Sequence, residues 1–429
     1  MSHRPPWIKV LVFWVLGFVP TLVVLEAASY VLIKKMVPTR ITGRVGRGSI
    51  EFHLAQRRQL PVDQPKFIFD SSGTTAAEKS SIPGFRMFHP ALGWDYPPNI
   101  IYQDVDDIIY HHDAHGERRT CTSYATTLMA TYGDSFTYCA NVRDEDTWQT
   151  FLAGKLSSNV LNFGVGAYGT DQAMLKYELQ SPVFTKIAML CIFPENINRV
   201  VNIYRPFYTY IDPVRLTKPL FVSHGDGFKL VSNPLKCAED FSKLDDPAFL
   251  NELAKFDYWY QFDKNLPDLS FPWVFSFFHW RRPVLKQLRL SLPYALYPYA
   301  ARSYPWNLFD EDYPLAIICH IVDRFVATAR SRGSVPIIVI MPHRDFVQEL
   351  MDHGVSRVAK LVDHLSNQKY PFIDAVQVEA DMKPSRLQLD HWYHGHATRE
   401  GNRVLADILS RYLESNFGDL IRSQAGSQL

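Results

Sequence analysis

Five short apolar runs, residues 126–132, 160–165, 187–193, 335–341 and 372–376, constrain this chain more than anything else in it. Each is too short for an ordinary core helix and too continuously apolar for a strand with one wet face, so each suits a strand covered on both sides. Stretches of helical character alternate with them, at 147–156, 171–179, 316–332 and 345–352. The alternation predicts an α/β fold, a doubly wound, mostly parallel five-stranded sheet.

One connection is too long for such a fold. Residues 202–310 separate the third run from the fourth and are rich in aromatics, among them Phe256, Tyr258, Trp259, Tyr260 and the run from Phe271 to Trp280. An α/β connection spans only a few residues, so this is an insertion. It reads as a helical piece with its own small core, or as a cap or membrane-resting face. Residues 40–85 are polar and carry Ser/Gly-bearing stretches at 71–75 and 80–84, the composition of a linker or extended lead-in. The expected organisation is an anchor at 1–36, a lead-in at 37–120, the first part of an α/β domain at 121–201, the insertion at 202–310 and the second part at 311–429.

The anchor follows from residues 7–33, which are apolar apart from Lys9 and Glu26. About 20 such residues at ~1.5 Å each cross a bilayer core, and Gly17 and Pro20 are tolerated there. The run is long for a signal peptide, and no small-x-small cleavage site follows it. A single-pass N-terminal transmembrane helix is expected. Arg4 and Lys9 lie on one side of it and Lys34, Lys35, Arg40, Arg44 and Arg47 on the other, so charge alone places the body of the chain in the cytoplasm.

Charge also excludes a class of function. The chain has 45 Lys+Arg against 44 Asp+Glu, no excess with which to neutralise phosphates, so nucleic acid is not an expected partner. Its five cysteines form no C-x-x-C pair and suggest neither a zinc ribbon nor a disulfide framework.

Chemistry is expected where the first apolar run ends. Ser135, in Gly133-Asp134-Ser135, follows a buried strand, at the edge of an open sheet where ligands collect beside free N–H groups. A serine nucleophile needs a base held in the right orientation. Near the C-terminus, His396 stands just ahead of Thr398, a plausible N-cap for an amphipathic final helix.

Four segments together resemble the SGNH, or GDSL-like, hydrolases. Gly133-Asp134-Ser135 resembles their first motif block, Asn162-Phe163-Gly164-Val165-Gly166-Ala167 their second, Phe193-Pro194-Glu195-Asn196 their third and His396-x-x-x-x-Gly401 their last. The resemblance covers neither the anchor nor the insertion. It implies Ser135 as nucleophile and His396 as base, with an oxyanion hole from the Ser135 and Ala167 N–H groups and the Asn196 side-chain amide. Ala167 departs from the family's usual glycine, and its N–H suits the role only if its φ does; the register also admits Gly166 or Gly164. The family's orienting acid falls on Tyr393 or His394 here, leaving Asp390 as the nearest carboxylate. Either Asp390 orients the imidazole, or a Ser–His dyad works with a backbone carbonyl.

A metal reading competes at the same place. Asp390, His391, His394 and His396 are suitable zinc ligands, yet their spacing matches no zinc pattern, and no metal or other cofactor is expected. The resemblance implies an esterase or deacylase acting on an acyl ester, with an O-acylated cell-envelope glycan as substrate. An O-acyltransferase would use the same acyl-enzyme, and a catalytically silent glycan-binding or assembly protein is the third reading. Resemblance to anchored envelope enzymes places the catalytic domain outside the cytoplasm, against the charge count.

Overall fold

The computed structural model describes residues 6–37, 39–59, 86–104, 106–180, 185–209, 214–267, 269–291 and 307–425. The stretches 71–75 and 80–84 and the 292–306 part of the insertion lie outside them. Elements are labelled in chain order. The first half holds α1 (Pro6–Met36), β1 (Thr127–Tyr132), α2 (Ser135–Tyr138), α3 (Trp148–Leu156), β2 (Asn159–Asn162), α4 (Thr170–Leu179) and β3 (Ile187–Ile192). The second holds α5 (Trp273–Ser291), α6 (Asp312–Ser331), β4 (Val335–Ile340), α7 (Arg344–His353), β5 (Phe372–Asp374) and α8 (Arg399–Ala425).

The chain divides into two units, one of residues 1–52 and 260–307, the other of 53–259 and 308–429. The larger contains the five-stranded sheet, in the order β5-β4-β3-β1-β2, and every pairing in it is parallel. All five apolar runs became its strands. From β1 the chain moves to one neighbour, β2, and then crosses to the other side as β3 and onward, so β1 is the topological switch point where open sheets form their crevice.

Both faces of the sheet are covered. Ile187, Met189 and Cys191 of β3 join Ile337 and Val339 of β4 in one core with Trp148 and Leu152 of α3 and Leu405 and Leu409 of α8. The intervening residues point to the opposite face, where α4 and α6 pack on each other and on the sheet. Every residue of β3 is therefore buried, which is why its sequence reads as an unbroken apolar run rather than an alternation. Truncating a side chain such as Leu152 or Leu409 here costs about 2–5 kcal/mol.

Two expected segments are built differently. Within the 37–120 lead-in, residues 86–120 form antiparallel hairpins, Met87–His89 with Gly93–Asp95 and Ile100–Gln103 with Ile109–His112. The insertion is shared between the units: residues 202–259, including the hairpin Leu220–His224 and Gly227–Val231, belong to the larger.

In the smaller unit α5 lies along α1. Ile33, Val37 and Ile41 pack with Trp280 and Val284 into a separate small core. Beyond α1, the buried Arg44 guanidinium grips Asp263 in a fork, with Nε to Oδ1 at 2.6 Å and Nη2 to Oδ2 at 2.9 Å. Two charges this dry are held only as a pair; removing one leaves the other buried and uncompensated. Within α1, the 21 residues Leu16–Met36 are long and apolar enough to cross a membrane.

Candidate active site

The site assembles at the carboxyl ends of β1, β2 and β3, which lie side by side in the sheet. After β1 the chain turns through Gly133 into α2. A Cβ at Gly133 would lie 2.0 Å from Thr137 Oγ1, so only glycine lets the turn fold this tightly. Asp134 caps α2, its Oδ1 accepting from the Phe136 N–H at 2.9 Å. Burial raises the Asp134 pKa, and Arg199 opposes that rise. The cap presents Ser135 at the first helical position.

His396 arrives from the opposite end of the sequence. It sits in the two-residue-strand hairpin Tyr393–His394 and His396–Ala397, which turns on Gly395 at φ 75°. Thr398 caps α8 as expected, its Oγ1 accepting from the Gly401 N–H at 3.3 Å and donating to the His391 carbonyl at 2.8 Å. A Cβ on Gly401 would lie 2.2 Å from the Trp392 carbonyl oxygen. The glycine five residues after the histidine thus lets α8 press against the backbone that leads into the hairpin.

The hairpin brings His396 Nε2 to 2.9 Å from Ser135 Oγ. On the other side of the ring, Nδ1 lies 2.7 Å from Asn141 Oδ1. With Nδ1–H donating to the amide oxygen, the Nε2 lone pair faces the serine hydroxyl. Burial, reinforced by the positive field of Arg199, lowers the His396 pKa to about 4. Asn141 is uncharged and gives the imidazolium no compensating anion. The ring is therefore neutral across the physiological range.

Sequence reasoning missed Asn141. Its signal is local and weak: an asparagine shortly after a four-residue helix, at φ 69°, where Asn is tolerated better than most residues. What holds it is distant. The Asn141 N–H donates to Tyr110 Oη at 3.1 Å, and the fully buried Arg118 guanidinium donates to the carbonyls of Tyr138, Cys139 and Val142 and to Asp144 Oδ1. Arg118 comes from the expected lead-in, and its backbone N–H also bonds the Asn162 carbonyl at the end of β2. One side chain thus fastens the loop on both flanks of Asn141.

Asp390 is placed elsewhere. It lies in the helical turn Arg386–Trp392 and pairs with Arg344 of α7 at 2.8 Å, both side chains being about half exposed. The turn directs this carboxylate toward α7, and the Nδ1 position is taken by Asn141. Tyr393, the position at which the resemblance calls for an acid, is buried, its hydroxyl 2.7 and 2.9 Å from the two Glu379 carboxyl oxygens. Of the remaining histidines, His391 and His394 are exposed. Among the described residues no group of three His, Cys, Asp or Glu side chains is arranged to hold a metal ion.

Ala167 and Asn196, which the resemblance assigns to an oxyanion hole with Ser135, lie on the loops that follow β2 and β3. Ala167, in the loop after β2, adopts φ 67°, the left-handed conformation that a glycine would take without strain. The loop is gripped by the expected lead-in: Trp94 Nε1–H donates to the Gly166 carbonyl at 3.0 Å and the Gly166 N–H donates to Tyr96 Oη at 3.3 Å. Asn196, on the turn after β3, is 1% exposed beside Asp134. Its side-chain amide interacts with the Asp134 carboxylate behind the nucleophile. Phe136 stacks on Phe193 at 4.0 Å between centroids and leans on the His396 ring at 4.9 Å, closing the apolar side of the site.

No family model matches the chain, and no curated protein matches it. Among solved structures it is similar to a putative lipolytic protein of the G-D-S-L family from Desulfitobacterium hafniense, at 10% identity and a TM-score of 0.33, over 67% of this chain and all of that one. A second similar structure is a member of the lipolytic G-D-S-L family from Veillonella parvula, at 10% identity and a TM-score of 0.32, over 68% of this chain and 99% of that one.

Proposed function

We propose that this chain is a serine hydrolase of the SGNH type, with Ser135 as nucleophile, His396 as general base and Asn141 as the residue that orients the base. The relay from Ser135 Oγ to His396 Nε2 at 2.9 Å and from His396 Nδ1 to Asn141 Oδ1 at 2.7 Å carries the reading. It supports catalysis over the silent, glycan-binding alternative, because a half-buried neutral imidazole against a serine hydroxyl is the arrangement nucleophilic acyl transfer requires.

In the first half-reaction the Ser135 hydroxyl proton passes to His396 Nε2 as Oγ bonds to the acyl carbon. The carbonyl oxygen becomes an oxyanion facing the N–H groups of Ser135 and Ala167 and the Asn196 amide, donors whose individual loss costs ~3 kcal/mol of transition-state stabilisation. The Nε2 proton then goes to the departing alkoxide, the bond from acyl carbon to leaving oxygen breaks, and the acyl group remains on Oγ. Water, deprotonated by the same nitrogen, then attacks the acyl carbon; the bond from acyl carbon to Oγ breaks, the Nε2 proton returns to Oγ, and the acid departs. A sugar hydroxyl in the place of water would make the protein an O-acyltransferase through the same intermediate.

The substrate class follows from the resemblance: an acyl ester, with O-acylated cell-envelope glycan as the reading we adopt. By the same resemblance α1 anchors the chain in a membrane and the catalytic unit lies on the extracytoplasmic side. A fluorophosphonate probe tests the chemistry. Labelling is expected on Ser135 and to vanish in Ser135→Ala; a label that persists, or that maps to another serine, overturns the assignment. Incubation of the labelled-competent protein with p-nitrophenyl acetate, with and without an oligosaccharide acceptor, separates acid release from acyl transfer.

A further inference from the structure

A glutamate in the middle of an apolar 21-residue span needs a partner, and Glu26 has one. Its carboxylate accepts from the backbone N–H groups of Trp273 at 2.5 Å and Val274 at 3.4 Å, the first two residues of α5. The insertion therefore begins α5 at the depth of Glu26, midway along the span. Tyr30, one turn further along α1, meets the Trp273 ring edge-on at 5.0 Å between centroids. Further on, Trp280 and Val284 of α5 share a core with Ile33, Val37 and Ile41. The two helices thus run side by side in the same direction.

Equal helical rise fixes what lies at each level. Eight or nine residues at 1.5 Å each, ~12 Å, lead from Glu26 to Lys34 and Lys35 on α1, and the same rise leads from Trp273 to Arg281 and Arg282 on α5. All four basic side chains are exposed, so they form one cationic belt. On the Glu26 side of that belt, the outward surface of α5 and its lead-in is aromatic: Phe271 is 72% exposed, Phe275 66% and Phe278 56%. That surface continues the exposed apolar surface of α1, where Val23, Val24 and Val31 stand out. Lipid tails below and anionic headgroups at the belt match this order of chemistry, as they do for basic and aromatic residues that flank membrane segments generally.

We propose that residues 271–278 are a second membrane-embedded segment: the start of α5 is seated on α1 inside the same leaflet, with Lys34, Lys35, Arg281 and Arg282 at the phosphate level. This rests on the reading of α1 as a membrane anchor. Glu26 then holds no bare charge against lipid, because the free N–H groups of the α5 N-terminus take it up. The backbone groups that open α5 are satisfied in turn, as a helix start within a bilayer demands.

The test is photolabelling of the full chain in vesicles of equal parts phosphatidylcholine and phosphatidylglycerol, doped with a phospholipid carrying a diazirine at the end of one acyl chain. Modified peptides are mapped by mass spectrometry. Label is expected both within Leu16–Met36 and on Phe271, Phe275 or Phe278. Label on α1 without label on 271–278 overturns this inference and leaves the anchor standing. Label on neither overturns the anchor and this inference with it. Label on 271–278 alone overturns the shared depth on which the inference is built.

Discussion

His396 Nδ1 and Asn141 Oδ1 lie 2.7 Å apart, so the imidazole is held by an amide and not by a carboxylate. Orientation and tautomer are provided, but charge compensation is withheld, and burial leaves the His396 pKa at about 4. A base this weak accepts the serine proton with less driving force than one poised near neutrality.

The pH dependence of kcat/KM checks this directly. Activity is expected to hold from neutral pH down to about 5 and to fall as His396 protonates near pH 4. Asn141→Asp sets an anion beside the ring and moves the acid limb to higher pH. Asn141→Ala loses the tautomer lock and lowers kcat by ~10²- to 10⁴-fold. Asp390→Asn breaks only a half-exposed pair with Arg344 and leaves both kcat and the profile near wild type. An Asp390→Asn variant as impaired as Asn141→Ala would return the orienting role to Asp390.

Ala167 carries a side chain at φ 67°. A left-handed non-glycine residue costs about 1–2 kcal/mol, partly offset in a glycine variant by the extra freedom of the unfolded chain. Ala167→Gly is therefore expected to raise the melting temperature slightly and to retain fluorophosphonate labelling. Ala167→Val adds a β-branch at the same φ, lowering both stability and the labelling rate. Thermal denaturation and labelling kinetics on the two variants decide it; a glycine variant less stable than wild type refutes the strain.

Glu379 is fully buried under Tyr393, and burial raises its pKa to about 8. A carboxyl group whose folded pKa lies above its unfolded value near 4.5 leaves stability intact below that value. Stability is then lost as pH rises toward 8, because the unfolded chain gives up the proton first. Glu379→Gln removes this term. At pH 8 it is expected to be more stable than wild type by up to a few kcal/mol, and at pH 4 to have no advantage. Denaturant midpoints at the two pH values measure the difference, and an advantage independent of pH would contradict it.

Deleting residues 1–36 removes Ile33 from the core that contains Trp280 and Val284, and removes Glu26 from the start of α5. The shortened chain is expected to keep its fluorophosphonate reactivity, since Ser135, His396 and Asn141 all belong to the larger unit. It is also expected to need detergent, because the apolar surface uncovered on α5 drives association. Size-exclusion chromatography with and without detergent checks this. A detergent-free monomer would show that α5 finds its own cover.

The five strands and the local turns that carry Ser135 and His396 were legible because each is a local property. An unbroken apolar run has nowhere to lie except inside a sheet, and Thr398, Gly401 and Asp134 act on residues within a few positions of themselves. The strand–turn–helix around Ser135 could thus be read without knowing what faces it. Asn141 could not, because its role depends on a loop that Arg118 and Tyr110 hold from elsewhere in the chain and on a hairpin 255 residues later in sequence. Asp390 misled for the matching reason: nearness in sequence to His396 said nothing of the helical turn that aims it at Arg344. Glu26 stood out as a lone acid in an apolar helix, yet only the packed pair of α1 and α5 supplied its partner, since the N–H groups it caps come from 247 residues away. Short-range sterics and burial determined the elements; which distant groups meet across them was decided by tertiary packing.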